Sequence, residues 1–89
     1  MSNLRGGNVE EMQQLARLFS ANSGKLNSVI SDLNSKTVDS ERIWTGPAAD
    51  RFRSAWGEAK TAFEKMRQAL DEASSAVSKN AQNIEQATR

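Results

Sequence analysis

"ERIWTGPAAD", residues 41–50, holds the only proline of this chain and one of its two tryptophans. Pro47 lacks an amide hydrogen, so it is tolerated in the first turn of a helix but not in a helix interior, and it biases Gly46 away from helical geometry. A first helix must therefore end before Gly46. Thr45 or Gly46 can then act as the N-cap of a second helix, with Asp50 near its positive end. The stretch predicts a tight turn between two helices.

Upstream of the turn, the sequence predicts one long helix. Asn8 is followed three residues later by Glu11, which resembles a capping box, so the helix should begin near Val9. From there a stripe with a period of about 3.5 residues, typical of a helix that packs against another helix, runs along the chain. Its members are Met12, Leu15, Phe19, Asn22, Leu26, Val29, Leu33, Lys36, Ser40 and Ile43.

Downstream of the turn, the same period returns with fewer polar interruptions. The second stripe consists of Phe52, Trp56, Ala59, Phe63, Met66, Leu70, Ala73, Val77, Asn80, Ile84 and Ala87. A further column of small residues recurs every seven positions beside it, at Ala48, Ala55, Ala62, Ala69 and Ala76. Small side chains in such a column let another helix backbone come close.

These patterns predict an all-α fold. One domain, residues 1–89, should form an antiparallel helical hairpin with helices at about 9–42 and 48–85 and a turn at about 43–47. A stripe flanked by an alanine column is wider than one partner helix can cover, and we expect Leu18 and Ile30 to lie outside the seam of the hairpin as well. We therefore predict a dimeric four-helix bundle. The large apolar residues expected to pack in its seams are Met12, Leu15, Phe19, Leu26, Val29, Leu33, Phe52, Trp56, Phe63, Met66, Leu70 and Val77.

The composition argues against most binding and catalytic functions. Twelve basic and eleven acidic residues are spread along the whole chain, with no block of one sign that would attract nucleic acid. Cysteine and histidine are both absent, which removes the usual zinc ligands, thiol chemistry and the commonest general base. We expect no metal, no cofactor and no small-molecule ligand.

Candidate catalytic groups are equally sparse. The acidic pairs Glu10–Glu11 and Asp71–Glu72 are adjacent on helices, so their carboxylates should diverge rather than converge on one atom. Ser74 and Ser75 have no histidine that could activate them. The sequence predicts a protein that is not an enzyme.

Targeting signals give one further expectation. The N-terminal "MSNLRGGN" lacks the apolar run of a secretory signal peptide, and no stretch approaches the roughly 18 apolar residues of a membrane span. By its sorting signals alone, the chain is expected to be cytoplasmic.

The two tryptophans are predicted to have different roles. Trp56 lies within the second stripe and is expected in the core. Trp44 either plugs the end of the hairpin or anchors a partner, and the two roles are compatible, because an indole buries a large apolar area and still presents an N–H group.

Trp44, Thr45 and Gly46, placed midway between two long amphipathic helices in a chain of this length, resemble the WXG family, the early-secreted-antigen-like substrates of type VII secretion. The resemblance covers nearly the whole chain. It implies a hairpin protomer that dimerises into a four-helix bundle and leaves the cell as a folded pair without a signal peptide. It also implies an actinobacterial or other Gram-positive source.

One family feature is missing. The export signal of that family is a tyrosine followed four residues later by Asp or Glu, and this chain has no tyrosine. Either a partner subunit carries the signal, or it lies on a tail beyond Arg89, or the protein is exported differently. If the resemblance holds, we expect a WXG-type partner subunit to supply the signal, which slightly favours a heterodimer over a homodimer. Trp44 and Gly46 would then form one half of a composite recognition surface, and the tyrosine motif of the partner would form the other half. The type VII secretion ATPase is expected to bind this surface.

Two other functions remain open at this point. An intracellular coiled-coil adaptor could share the same turn and seam. A membrane-active pair of amphipathic helices is also possible, but the polar faces mix both charges and lack the Lys/Arg bias that surface binding favours.

Overall fold

The computed structural model describes residues 7–87, which form a hairpin of two long helices. Helix α1 spans Val9–Asp39, a single 3-10 turn follows at Ser40–Arg42, and helix α2 spans Pro47–Ala87. The molecule measures 64 by 16 by 13 Å. The prediction of an all-α hairpin is confirmed.

Hydrogen bonds between the helices define their direction and register. From the turn outward, the bonded partners are Arg53 with Ser40, Trp56 with Asn34, Arg67 with Ser23, Ser74 with Ala16, and Ser78 with Gln13. Residue numbers fall along α1 as they rise along α2, so the helices are antiparallel. The register stays nearly constant along the whole seam, which means that the helices pair over their full shared length.

Helix α1 begins with the cap that its sequence predicts. The backbone amide of Glu11 donates to the side-chain oxygen of Asn8 over 3.0 Å, and the backbone of Asn8 is extended. This bond satisfies one of the amides that a helix start leaves without an intrahelical partner. Glu10 and Glu11 also place negative charge at the positive end of the helix dipole.

The turn is closed by backbone bonds and by one arginine. The carbonyl of Ser40 accepts from the amides of Ile43 and Trp44. The carbonyl of Gly46 accepts from the amide of Asp50 over 3.0 Å, so Gly46 is the N-cap residue that precedes α2. Arg53 reaches back from α2 and donates to the hydroxyl of Ser40 at 2.9 Å and to the carbonyl of Trp44 at 2.7 Å. The 3-10 turn is thereby tied to α2.

Gly46 has a backbone φ of +111°, a conformation that residues with a Cβ rarely adopt. Replacement by valine should lower the free energy of unfolding by about 1 to 3 kcal/mol through backbone strain alone, because no neighbouring atom lies within 4 Å of the added Cβ. Urea unfolding followed by circular dichroism measures the loss.

Gly57 provides the matched control. It lies inside α2, and a Cβ added there would also meet nothing within 4 Å. Gly57→Ala should therefore raise the free energy of unfolding by about 1 kcal/mol, the helix propensity gained over glycine. Equal effects of the two substitutions would contradict a special role for the backbone at Gly46.

The seam between the helices is lined by small residues. Ala16, Ser23, Ala49 and Ala81 are buried, and they bring the two backbones close together. Serine hydroxyls then reach the opposite main chain: Ser74 donates to the carbonyl of Ala16 over 2.7 Å, and Ser23 donates to that of Arg67 over 3.3 Å. Larger apolar side chains pack at the edges of this narrow line.

Two expectations about the seam are wrong. Ile30 was expected outside the hairpin seam, but it is only 4% exposed and packs within it. Ile43 was expected to close the stripe of α1, but it is 79% exposed at the turn. The seam of α1 follows the seven-residue series Val9, Ala16, Ser23, Ile30 and Thr37, so the helix is rotated relative to the predicted stripe.

Candidate functional site

One face of the hairpin carries most of its exposed apolar surface. On α1, Leu15 and Val29 each come one residue before a seam residue, and both are exposed. On α2, the alanine column occupies the same position, since each alanine precedes a seam residue such as Ala49 or Trp56. The two helices of an antiparallel pair are related by an approximate two-fold axis perpendicular to their common plane. Equivalent positions therefore project from the same side.

We call this side the apolar face. Its exposed members on α1 are Leu15, Leu18, Val29 and Leu33, and on α2 they are Phe52, Met66 and the five residues of the alanine column. This apolar strip, interrupted on α1 by the exposed Asn22 and Lys36, is the kind of surface that another protein usually covers.

The twelve residues predicted to pack in the seams divide into two groups. Seven are partly buried within the hairpin: Met12, Phe19, Leu26, Trp56, Phe63, Leu70 and Val77. Five are exposed on the apolar face: Leu15, Val29, Leu33, Phe52 and Met66. The packing of the exposed group against a partner remains a prediction. Four buried seam residues were not predicted, because their only signal is their spacing in multiples of seven from other seam residues: Ala16, Ser23, Ala49 and Ala81.

The opposite side of the hairpin is polar. A groove there is lined mainly by polar and charged residues of both helices, including Asn34, Arg53, Lys60 and Glu64. Val38 also lines this groove and is 56% exposed. It comes one residue after the seam residue Thr37, whereas Leu15 and Val29 each come one residue before a seam residue, so Val38 projects from the opposite side. The two faces of the hairpin therefore differ sharply in polarity.

The turn presents a second apolar cluster. Trp44 is 42% exposed, and its ring packs against that of Phe52 with centroids 5.5 Å apart. Its backbone amide and carbonyl are both bonded, to Ser40 and Arg53, so the position of the residue is fixed while much of the indole stays in solvent. Ile43 lies beside it, more exposed still. Trp44 thus packs against Phe52 of α2 and leaves part of its indole exposed at the turn.

The described residues contain few groups arranged for chemistry. Between residues 7 and 87, no cluster of three or more acidic residues is placed to hold a metal ion. Ser74, one of the two serines considered as nucleophiles, donates its hydroxyl to the main chain of α1. Asp71 pairs with Arg67 at 3.2 Å, one helical turn away on α2. No helix in this part of the chain is long and apolar enough to cross a membrane.

Comparison with known proteins agrees with this architecture. A family model named WXG100, described as proteins of 100 residues with WXG, matches residues 7–88. This chain belongs to the WXG100 family. The Trp-X-Gly motif of that description corresponds to Trp44, Thr45 and Gly46, which lie at the turn of the hairpin. The resemblance drawn from the sequence is confirmed.

A solved structure shows the same fold. The chain is similar to EsxA of Geobacillus thermodenitrificans, with a TM-score of 0.86 and 25% sequence identity. The match covers 91% of this chain and 90% of the other. A search among curated protein sequences found no match. The WXG100 hairpin is therefore preserved in EsxA although three quarters of the aligned residues differ.

Proposed function

We propose that this WXG100 protein is a small substrate and co-substrate of a type VII secretion system, exported without a signal peptide as a folded pair of hairpins. The observation that carries the proposal is a Trp-X-Gly turn held rigidly at the end of a hairpin, with its indole exposed. Family membership and the likeness to EsxA support it. Its chemistry is association, with no catalytic step.

The apolar face is the proposed pairing surface. A second hairpin laid on it antiparallel completes a four-helix bundle and covers the exposed leucines, Val29, Met66 and the alanine column. Burying a fully exposed large apolar side chain contributes about 1.5 to 3 kcal/mol, and each of these half-buried side chains contributes about half as much. The proposed partner is a WXG-type subunit, with a heterodimer favoured over a homodimer because this chain contains no tyrosine for the family export signal.

A charge placed on this face should break the pair. Val29 and Val38 lie on the same helix at 50% and 56% exposure, but on opposite faces. Val29→Lys should abolish co-purification with the partner subunit, because it buries an unpaired ammonium in the bundle. Val38→Lys should leave the complex intact. Size-exclusion chromatography of the complex purified from the source organism distinguishes them, and equal loss from both variants would contradict the assignment of the face.

Export is proposed to depend on a composite surface. In an antiparallel pair of hairpins, the turn of one protomer lies near the helix ends of the other. Trp44 and Gly46 at the turn can therefore be read together with a tyrosine motif on the tail of the partner. The proposed receptor is the ATPase of the secretion system.

The test is secretion in the source organism. The tagged chain should accumulate in the culture supernatant, without a cytosolic marker, and should remain in the cells when the gene of the type VII ATPase is deleted. A chain that stays in the cells of both strains would instead support the intracellular adaptor. Secretion that is independent of the ATPase would contradict the proposed route.

A further inference from the structure

Helix α2 carries a column of charges with alternating sign. Arg51, Glu58, Lys65, Glu72 and Lys79 recur every seven residues, and all five are exposed. The salt bridges found within residues 7–87 join other residues, Asp32 to Lys36, Lys60 to Glu64, and Arg67 to Asp71. The five charges of the column are therefore available to a partner.

The column borders the apolar face. Each of its members lies three residues after a member of the alanine column, for example Arg51 after Ala48 and Lys65 after Ala62, so the two columns are neighbours on the surface of α2. Charges that flank the apolar seam of packed helices set partner choice and orientation in coiled coils. Like charges facing each other across such a seam are destabilising.

Helix α1 has an equivalent column on the other edge of the apolar face. Its members are Glu11, Leu18, Lys25, Asp32 and Asp39, and all are exposed. The register of the hairpin places Lys25 level with Lys65, since Ser23 is bonded to Arg67 and Asn34 to Trp56. Both lysines lie near the middle of the hairpin.

Symmetry determines which charges would meet if a second copy of the chain covered the apolar face. An antiparallel pair packed face to face has its two-fold axis across the helices, so α2 lies on α2 of the copy and α1 lies on α1. With full overlap, the axis passes level with Lys25 and Lys65. Arg51 then faces Lys79 of the copy, Glu58 faces Glu72, and each Lys65 faces the other.

Along α1, the result is similar. Glu11 of one copy faces Asp39 of the other, and Lys25 faces Lys25. Within these two columns, every contact between two charged residues of a fully overlapped homodimer is therefore repulsive, and the contact between Leu18 and Asp32 is neutral.

We propose that these two columns reject a second copy of this chain and select a different helical hairpin whose column facing α2 is acidic, basic, acidic, basic and acidic. The inference rests on the antiparallel pairing described under the proposed function and adds the identity of the partner in terms of charge. In this proposal the apolar face provides most of the binding energy, and the two charged columns determine which hairpin binds.

A variant with the inverted column on α2 tests the proposal directly. Its substitutions are Arg51→Glu, Glu58→Lys, Lys65→Glu, Glu72→Lys and Lys79→Glu. The inverted column still repels itself, but it complements the wild-type column at all five positions. Wild type and variant should each self-associate weakly, and their mixture should form a one-to-one dimer about 100-fold more tightly, because five repulsive contacts become attractive. Sedimentation equilibrium measures all three samples.

The response to salt provides an independent readout. Salt screens exposed charges, so 1 M NaCl should weaken the mixed dimer and strengthen the self-association of each protein. A wild-type dimer that forms tightly at low salt and weakens with salt would overturn the proposal, since its flanking charges would then attract, as they would after a slip of seven residues. A mixture that binds no more tightly than either protein alone would overturn it too. Circular dichroism of the variant confirms that it is folded.

Co-purification and secretion of two variants in the source organism test this inference separately from the proposed function. In the source organism, the inverted variant should lose its partner, as Val29→Lys does. If the inverted variant keeps its partner and is secreted while Val29→Lys is not, the charge selection is wrong and the proposed function stands. If Val29→Lys also keeps its partner, the pairing face itself is wrong.

Discussion

Trp44→Ala is expected to abolish secretion while leaving the hairpin folded. The indole contributes little to the core, because it is 42% exposed and packs mainly on Phe52, which is itself exposed. The bonds that hold residue 44 in place use its backbone, so they survive the substitution. What is removed is the apolar surface at the turn that the proposed receptor reads. Tryptophan is among the side chains enriched at positions that dominate binding energy.

The measurement is immunoblotting of supernatant and cell fractions from the source organism. Circular dichroism should show the helical content of the variant unchanged, with the free energy of unfolding lowered by about 1 kcal/mol or less. Val38→Ala is the control, since it also removes an exposed apolar side chain near the turn, but on the polar face. Normal secretion of the Trp44 variant would contradict the hypothesis that Trp44 is part of a composite export signal. Trp44 would then be a residue that only closes the end of the hairpin.

Trp56→Ala is expected to have the opposite profile, a large loss of stability. Trp56 packs in the seam beside Phe63, with ring centroids 6.4 Å apart, and its indole N–H donates to the side chain of Asn34 over 3.1 Å. Truncation leaves a cavity where the two helices meet. We expect the free energy of unfolding to fall by about 3 kcal/mol, the lower end for buried tryptophan, because the ring is only partly buried.

Such a loss is a large fraction of the free energy of unfolding of a domain of this size. Each kcal/mol lost should lower Tm by about 4 to 8 °C in a domain of 60 to 100 residues. Trp56→Phe is the matched control. It keeps a ring in the seam but loses the second ring of the indole and the hydrogen bond to Asn34, so it should cost about 1 to 2 kcal/mol, less than Trp56→Ala. Urea unfolding that places Trp56→Ala within 1 kcal/mol of wild type would contradict a core role for this residue.

Local chemistry made the hairpin and its turn predictable. A proline that can only begin a helix, a glycine before it and a capping asparagine at residue 8 each act within a few residues, and their effects do not depend on what packs nearby. The distribution of functional surface was harder to predict. The sequence placed Trp44 at the turn. Its exposure and its hydrogen bond from Arg53 depend on how α2 packs against the 3-10 turn.

The phase of the seam was not predictable from the apolar pattern. The period of seven and the existence of two long amphipathic helices were determined by the sequence alone, because they follow from the spacing of residues along one chain. Which side of each helix faces the other was decided by the tertiary structure. The small residues Ala16, Ser23, Ala49 and Ala81 allow the two backbones to approach closely, and the hydroxyls of Ser23 and Ser74 then donate across the seam. Helix α1 therefore turns its small residues inward. Leu15, Val29 and Leu33 are consequently left on the outer face, where a partner is proposed to cover them.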